Sequence, residues 1–237
     1  MLRICGVTKH YKESTALRNV SLTLDRGEIV GLFGANGAGK TTLLKATMGL
    51  LEQNSGWITL DDMLLQQTAY EKLSYITEEG SFFPDLTLNA HCKFFAGMLP
   101  LFNTDRFERL LKFFELEPNK KARTLSRGQR AKLEIAIGMS RGADFILMDE
   151  PFLGKDIFTR RDFLKLMIAM LDSHEGVMIA THQIEEIEMF ITRAVVMRDG
   201  KIITDRQMDD LTTEWGSLSE FIQKSCGYDN DRIMEFI

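Results

Sequence analysis

Gly34-Ala35-Asn36-Gly37-Ala38-Gly39-Lys40-Thr41-Thr42 decides how the rest of the chain is read. It fits the spacing Gly-x-x-x-x-Gly-Lys-[Ser/Thr] in full, with a further glycine at Gly37. Its flanks agree. Glu28 to Phe33 is short and mostly apolar, as a buried strand is, and Leu43 to Met48 reads as the first turns of a helix. The glycines let successive N–H groups turn inward on an anion, and a helix start adds free N–H groups and the positive end of its dipole. Lys40 would then reach β- and γ-phosphates, and the Thr41 hydroxyl would ligate Mg²⁺. A glycine-rich turn with no ligand has no need of Gly-Lys-Thr at these offsets. The stretch predicts a nucleoside-triphosphate site.

At 237 residues the chain is long enough for one substantial core, either a single domain or a core with an inserted subdomain. A formal net charge of −5 disfavours wholesale nucleic-acid binding, and none is expected. Cys5, Cys92 and Cys226 are widely spaced without metal-type pairing, so they read as free thiols of a reducing compartment. No apolar run approaches a membrane span and no signal peptide opens the chain. Any work at a membrane is expected from its side.

Leu2 to Val7 and Val20 to Leu24 read as short strands. Between them lies Tyr11, a surface aromatic on its own terms and a flat face for a purine if a nucleotide site is near. Trp57 to Leu60 and Leu73 to Thr77 are further strands, the latter ending at Glu78-Glu79-Gly80. An aromatic-rich loop, Ser81 to Thr87, then opens a helix-forming stretch to about Gly142. Within it Thr104 to Leu116 carries Phe107, Leu110, Leu111 and Phe114 at helical spacing, a core-packing stripe. Residues 79–142 read as a mostly helical subdomain inserted into an α/β core of 1–78 and 143–205, with a polar tail over 206–237 holding one amphipathic piece near Leu218 to Ile222. Among Phe82, Phe83, Leu86, Phe94 and Phe95, adjacent rings leave the backbone in different directions, so at least one is expected to line a surface groove.

Leu125-Ser126-Arg127-Gly128-Gln129 leads into a helix over Arg130 to Arg141, with Ser126 placed to cap it. Phe145-Ile146-Leu147-Met148 is a continuous apolar run ending in Asp149-Glu150, the pattern of a central parallel strand that opens on a ligand crevice. Two carboxylates there suit Mg²⁺ binding at Asp149 and general-base work at Glu150. After a helix at about Ile157 to Asp172, the strand Val177 to Ala180 ends in Thr181-His182-Gln183, which puts His182 within reach of a γ-phosphate or a water. Asp199-Gly200 makes a hairpin turn between Val195 to Met197 and Ile202-Ile203.

Together these stretches resemble the ATP-binding cassette (ABC) ATPases over roughly residues 1 to 205. The phosphate loop alone is common to all P-loop NTPases; the order of signature, Asp-Glu pair and His is specific to this family. The resemblance implies an α/β fold, a RecA-like core with an antiparallel β edge and an inserted helical subdomain. It makes Tyr11 the adenine-stacking aromatic, Gly34 to Thr42 the phosphate loop, and Leu125 to Gln129 the signature, usually Leu-Ser-Gly-Gly-Gln, with Arg127 at one glycine. Asp149 and Glu150 match the magnesium aspartate and catalytic glutamate, and His182 the switch histidine. Glu78 stands where the family usually has a hinge Gln that also meets the metal; the bacterial drug- and antibiotic-exporter branch often has Glu there. Leu153-Gly154-Lys155-Asp156 replaces the usual Ser-Gly-Leu-Asp.

The implied activity is ATP hydrolysis with ATP and Mg²⁺ bound between the phosphate loop of one subunit and the signature residues Ser126, Gly128 and Gln129 of another. One chain holds one copy of each, so a homodimer is expected. Transport would need a separately encoded membrane-spanning subunit, with this chain cytoplasmic and peripheral on the inner face of the cell membrane. An exporter is the reading here; a soluble cassette that remodels a cytosolic partner, as in iron–sulfur assembly, is the alternative.

Overall fold

The computed structural model describes residues 1–65, 67–77, 80, 82–151 and 157–226. Short apolar runs without polar interruption become the parallel strands of a six-stranded sheet: β3 (Ile29–Phe33), β6 (Leu73–Ile76), β7 (Phe145–Asp149), β8 (Gly176–Thr181) and β9 (Arg193–Arg198). The sixth, β10 (Lys201–Gln207), turns back antiparallel on β9 through Asp199-Gly200, both at positive φ. The order is β10-β9-β3-β8-β7-β6. Every residue of β7 and β8 is buried, as strands covered on both faces must be.

The two faces feed two cores. On one, Val30, Leu32, Phe145, Leu147, Met178 and Ala180 pack against α1 (Lys40–Thr47) and an antiparallel sheet of β1 (Leu2–Tyr11), β2 (Ser14–Leu24), β4 (Ser55–Leu60) and β5 (Met63–Leu64). On the other, Phe33, Ile146, Met148, Val177 and Ile179 meet a helical layer. That layer holds α2 (Leu88–Met98), α3 (Thr104–Phe113), α4 (Arg127–Met139), α5 (Ile157–Met170), α6 (Ile184–Ile187), α7 (Met208–Trp215) and α8 (Leu218–Cys226). No helix among the described residues is long and apolar enough to cross a membrane.

Several bounds differ from the sequence expectations, each for a local reason. β1 and β2 form one long hairpin, because register shifts after Ile4 and Val7 break the alternation that would have announced it. α4 starts at Arg127 and not Arg130: Ser126 accepts from the Gln129 N–H and the Gln129 side chain accepts from the Ser126 N–H, a reciprocal capping box. α3 stops at Phe113, before Glu115, which is left-handed at φ 53°. α5 ends at Met170, two residues before the expected end at Asp172. The stretch 206–226 is not a polar tail. It completes β10 and makes α7 and α8, whose Met208, Leu211, Leu218, Phe221 and Ile222 are buried in the helical-layer core.

One buried ionic node ties α3 to the turn before β8. The Arg106 guanidinium donates to Glu175 Oε1 at 2.7 Å, to the Met139 carbonyl at 2.8 Å and to Asp172 Oδ2 at 2.7 Å. Arg106 is 5% exposed and Glu175 3%, so the pair is held out of water.

Candidate functional site

Alternation along β7 sends Phe145 and Leu147 to the α1 side of the sheet, and Asp149 follows them. There its Oδ1 lies 3.1 Å from the hydroxyl of Thr41, in the first turn of α1. Its Oδ2 accepts from the Tyr75 hydroxyl on β6 at 3.1 Å. Burial raises the Asp149 carboxyl above the usual carboxylate range; the bonds from Thr41 and Tyr75 and the charge of Lys40 pull it back, while Glu150 adds to the rise.

Glu150 follows at φ 46°, a left-handed conformation uncommon for a residue with a Cβ. Its N–H still pairs with the Ala180 carbonyl on β8 at 2.9 Å. Its Oε2 accepts from Thr181 Oγ1 at 3.0 Å, and its Oε1 lies 2.9 Å from His182 Nδ1. A carboxylate can only accept from that ring, so the Nδ1 proton is the one donated to Glu150.

The phosphate loop runs from the end of β3 to the start of α1. Gly39 caps the helix at φ +107°, where a Cβ would stand 2.6 Å from the Ala16 carbonyl, so the loop closes against β2 only with glycine there. Gly37 has nothing within 4 Å of a Cβ, and its φ of +83° is what favours glycine there. Lys40 is 6% exposed; its ammonium donates to the Gly34 carbonyl at 2.7 Å and the Ala35 carbonyl at 3.4 Å, and stands 3.8 Å from Glu150 Oε1. Burial lowers its pKa, against the opposing pull of Glu150 and Asp149. Lys40, Thr41, Asp149, Glu150 and His182 thus meet in one place, floored by β7 and β8. Asn36, Ala38 and Thr42 belong to the same loop and helix start, with the Ala38 N–H bonded to the Ala35 carbonyl at 3.1 Å.

Other predicted residues stand elsewhere. Tyr11 lies at the tip of the β1–β2 hairpin, 48% exposed, with the Lys9 ammonium 5.5 Å from its ring centre. Ser126, Gly128 and Gln129 open α4, where Gly128 faces empty space and the other two bond to each other. Glu78 and Leu153-Gly154-Lys155-Asp156 lie outside the described residues.

The family model for "ABC transporter" matches residues 17–153, more than half the chain. This chain belongs to the ABC transporter ATPase family. It is 33% identical over 209 residues to the lipopolysaccharide export system ATP-binding protein LptB of Escherichia coli K12, covering 84% of this chain and 87% of LptB. An ATP-binding subunit of an ABC transporter superposes with a TM-score of 0.84 at 27% identity, over 95% of this chain and 99% of that one. A dimeric post-hydrolysis structure of the cassette MJ0796 bound to ADP and Pi superposes at 0.77 with 26% identity, over 88% and 99%. The chain is accordingly an ATP-binding subunit of an ABC transporter and an ATPase that uses ATP and Mg²⁺.

The donor set of this ABC ATPase fits that cation. A hydroxyl and one carboxylate are hard oxygen ligands, and Mg²⁺ is commonly held by one or two carboxylates together with substrate phosphates. Sequence reasoning missed Tyr75 and Thr181. Each is a hydroxyl near a strand end, and the register of β6 and β8 against β7 turns it toward a carboxylate.

Proposed function

We propose that this ABC ATPase powers export through a separate membrane-spanning subunit, with Glu150 as its general base. The observation that carries the chemistry is Glu150 itself, held by Thr181 and His182 beside the Lys40 ammonium. The loop N–H groups of residues 34–42 and Lys40 bind the phosphates, and Thr41 and Asp149 hold Mg²⁺, with Glu78 a third metal and catalytic contact from the hinge. Bound Mg²⁺ neutralises charge on the β- and γ-phosphate oxygens. Glu150 takes the proton of the attacking water, and His182 orients that water. Tyr11 stacks on the base.

Ser126 and Gly128 are exposed at the start of α4, which supports completion of the site by the signature of a second copy. The dimeric MJ0796 cassette supports the same arrangement. In this reading residues 79–142 turn as a helical unit against 1–78 and 143–205 when ATP closes the dimer. Phe83 and Phe94, exposed by 44% and 36% with ring centres 4.8 Å apart, offer the apolar contact for a helix of the membrane subunit. The export direction rests on LptB, and Glu78 supports the drug- and antibiotic-exporter branch. The chain then works at the inner face of the cell membrane.

Glu150→Gln tests the central assignment. The amide keeps the side chain's size and an acceptor for Thr181 but cannot take a proton. Turnover should fall by about 10²–10⁴-fold with ATP binding retained and an ATP-bound dimer accumulating. Near-normal hydrolysis by that variant would remove Glu150 from the role.

A further inference from the structure

We infer that Tyr75 is a positioning residue for the metal site, holding the Asp149 carboxylate so that one oxygen is presented beside Thr41. The inference rests on the reading of Thr41 and Asp149 as metal ligands.

The geometry follows from strand register. β6 runs parallel to β7 with Tyr75 opposite Leu147, two residues before Asp149. Leu147 and Tyr75 both pack in the core on the α1 side of the sheet, so Tyr75 lies on the face that Asp149 shares by alternation. Two residues of strand span about 6.6 Å. A phenol crosses that distance and a serine or threonine hydroxyl at the same position does not.

The two oxygens of Asp149 are therefore held by donors on different elements, Oδ1 by Thr41 on α1 and Oδ2 by Tyr75 on β6, each at 3.1 Å. Those two anchors fix the plane of a carboxylate that could otherwise rotate about its terminal torsion, a broad and weakly constrained one. When Thr41 and Oδ1 turn to a cation, Tyr75 keeps Oδ2 and so keeps the carboxylate aimed. Partners of this kind commonly change metal affinity by about 10–100-fold when removed. The ring body is part of the core, so the positioning resides in the hydroxyl alone, and phenylalanine separates the two.

The experiment is Tyr75→Phe beside Asp149→Asn, with Mn²⁺ as the probe. Its binding is followed by electron paramagnetic resonance with ADP present, alongside metal-free ADP affinity and melting temperature. We expect Tyr75→Phe to weaken Mn²⁺ binding by about tenfold or more while the metal-free ADP affinity stays at its wild-type value. Unchanged Mn²⁺ binding in Tyr75→Phe with a clear loss in Asp149→Asn overturns the inference and leaves the ligand reading standing. Unchanged Mn²⁺ binding in both overturns the ligand reading and the inference with it. An equal loss of metal-free affinity and thermal stability in Tyr75→Phe assigns the hydroxyl to structure alone, and overturns the inference as well.

Discussion

Replacing Arg106 by methionine probes the joint between α3 and the turn before β8. Methionine fills much of the arginine stem but donates nothing, so the Met139 carbonyl loses its 2.8 Å donor and Glu175 Oε1 its 2.7 Å partner. Glu175 is 3% exposed and keeps only the Asp172 N–H on its other oxygen, at 2.7 Å. An uncompensated buried charge of this kind costs about 3–5 kcal/mol. Asp172 adds little to that figure, because its side chain is 60% exposed and water replaces the lost partner. For a chain of this size each kcal/mol moves the melting temperature by roughly 2–4 °C, so a drop of roughly 6–20 °C is expected. Urea unfolding of Arg106→Met, Glu175→Leu and the double variant completes the cycle. The double variant should recover much of the loss, since a buried pair replaced by apolar residues is often near neutral. A single-variant cost below about 1 kcal/mol, or strict additivity in the cycle, would show that the node is not the charge trap described.

Two further outcomes are expected. Phe83→Glu and Phe94→Glu should leave the isolated chain folded and ATP-binding, because both rings are partly exposed, yet abolish its recovery with membranes that contain its partner; unchanged recovery of both places the contact elsewhere or points to a soluble partner. His91 is fully buried, its Nε2 accepting from the Phe83 N–H at 2.8 Å and its Nδ1 donating to the Thr87 carbonyl, and burial lowers its pKa from the ordinary 6.5. The unfolded chain therefore takes up this proton first. The stabilising contribution is complete above about pH 6.5 and is lost as pH falls through the lower folded value. The melting temperature should fall as the pH drops below about 6.5 in the wild type, and fall less steeply in His91→Gln; parallel pH profiles would contradict this.

How much of the site was legible depended on whether its residues are neighbours along the chain. Lys40 and Thr41 follow their glycines directly, and Asp149-Glu150 ends an apolar run, so spacing alone marked them. Ser126 announced a helix start, although the reciprocal bond from Gln129 moved that start three residues earlier than the apolar stripe suggested. Tyr75 and Thr181 gave no such mark, because their roles come from register between strands far apart in sequence. The β1–β2 hairpin was half visible, since its bulges interrupt the period of two by which strands are read. α7 was hidden by Asp209 and Asp210 in its first turn, which favour a helix start electrostatically yet lower apparent hydrophobicity, whereas α8 begins where the amphipathic piece near Leu218 to Ile222 was read.

β7 separates two cores, with Phe145 and Leu147 in one and Ile146 and Met148 in the other. It works as a party wall: neither room can be remodelled without disturbing the beam that carries both acids. A cavity opened under Ile146 and an overpacked side chain beside Leu147 would reach the same two carboxylates from opposite directions. Substitutions remote from the site should therefore divide by side, those on the α1 side acting first through Asp149, those on the helical side first through Glu150. The sheet's interior is in this sense a second, apolar half of the catalytic apparatus.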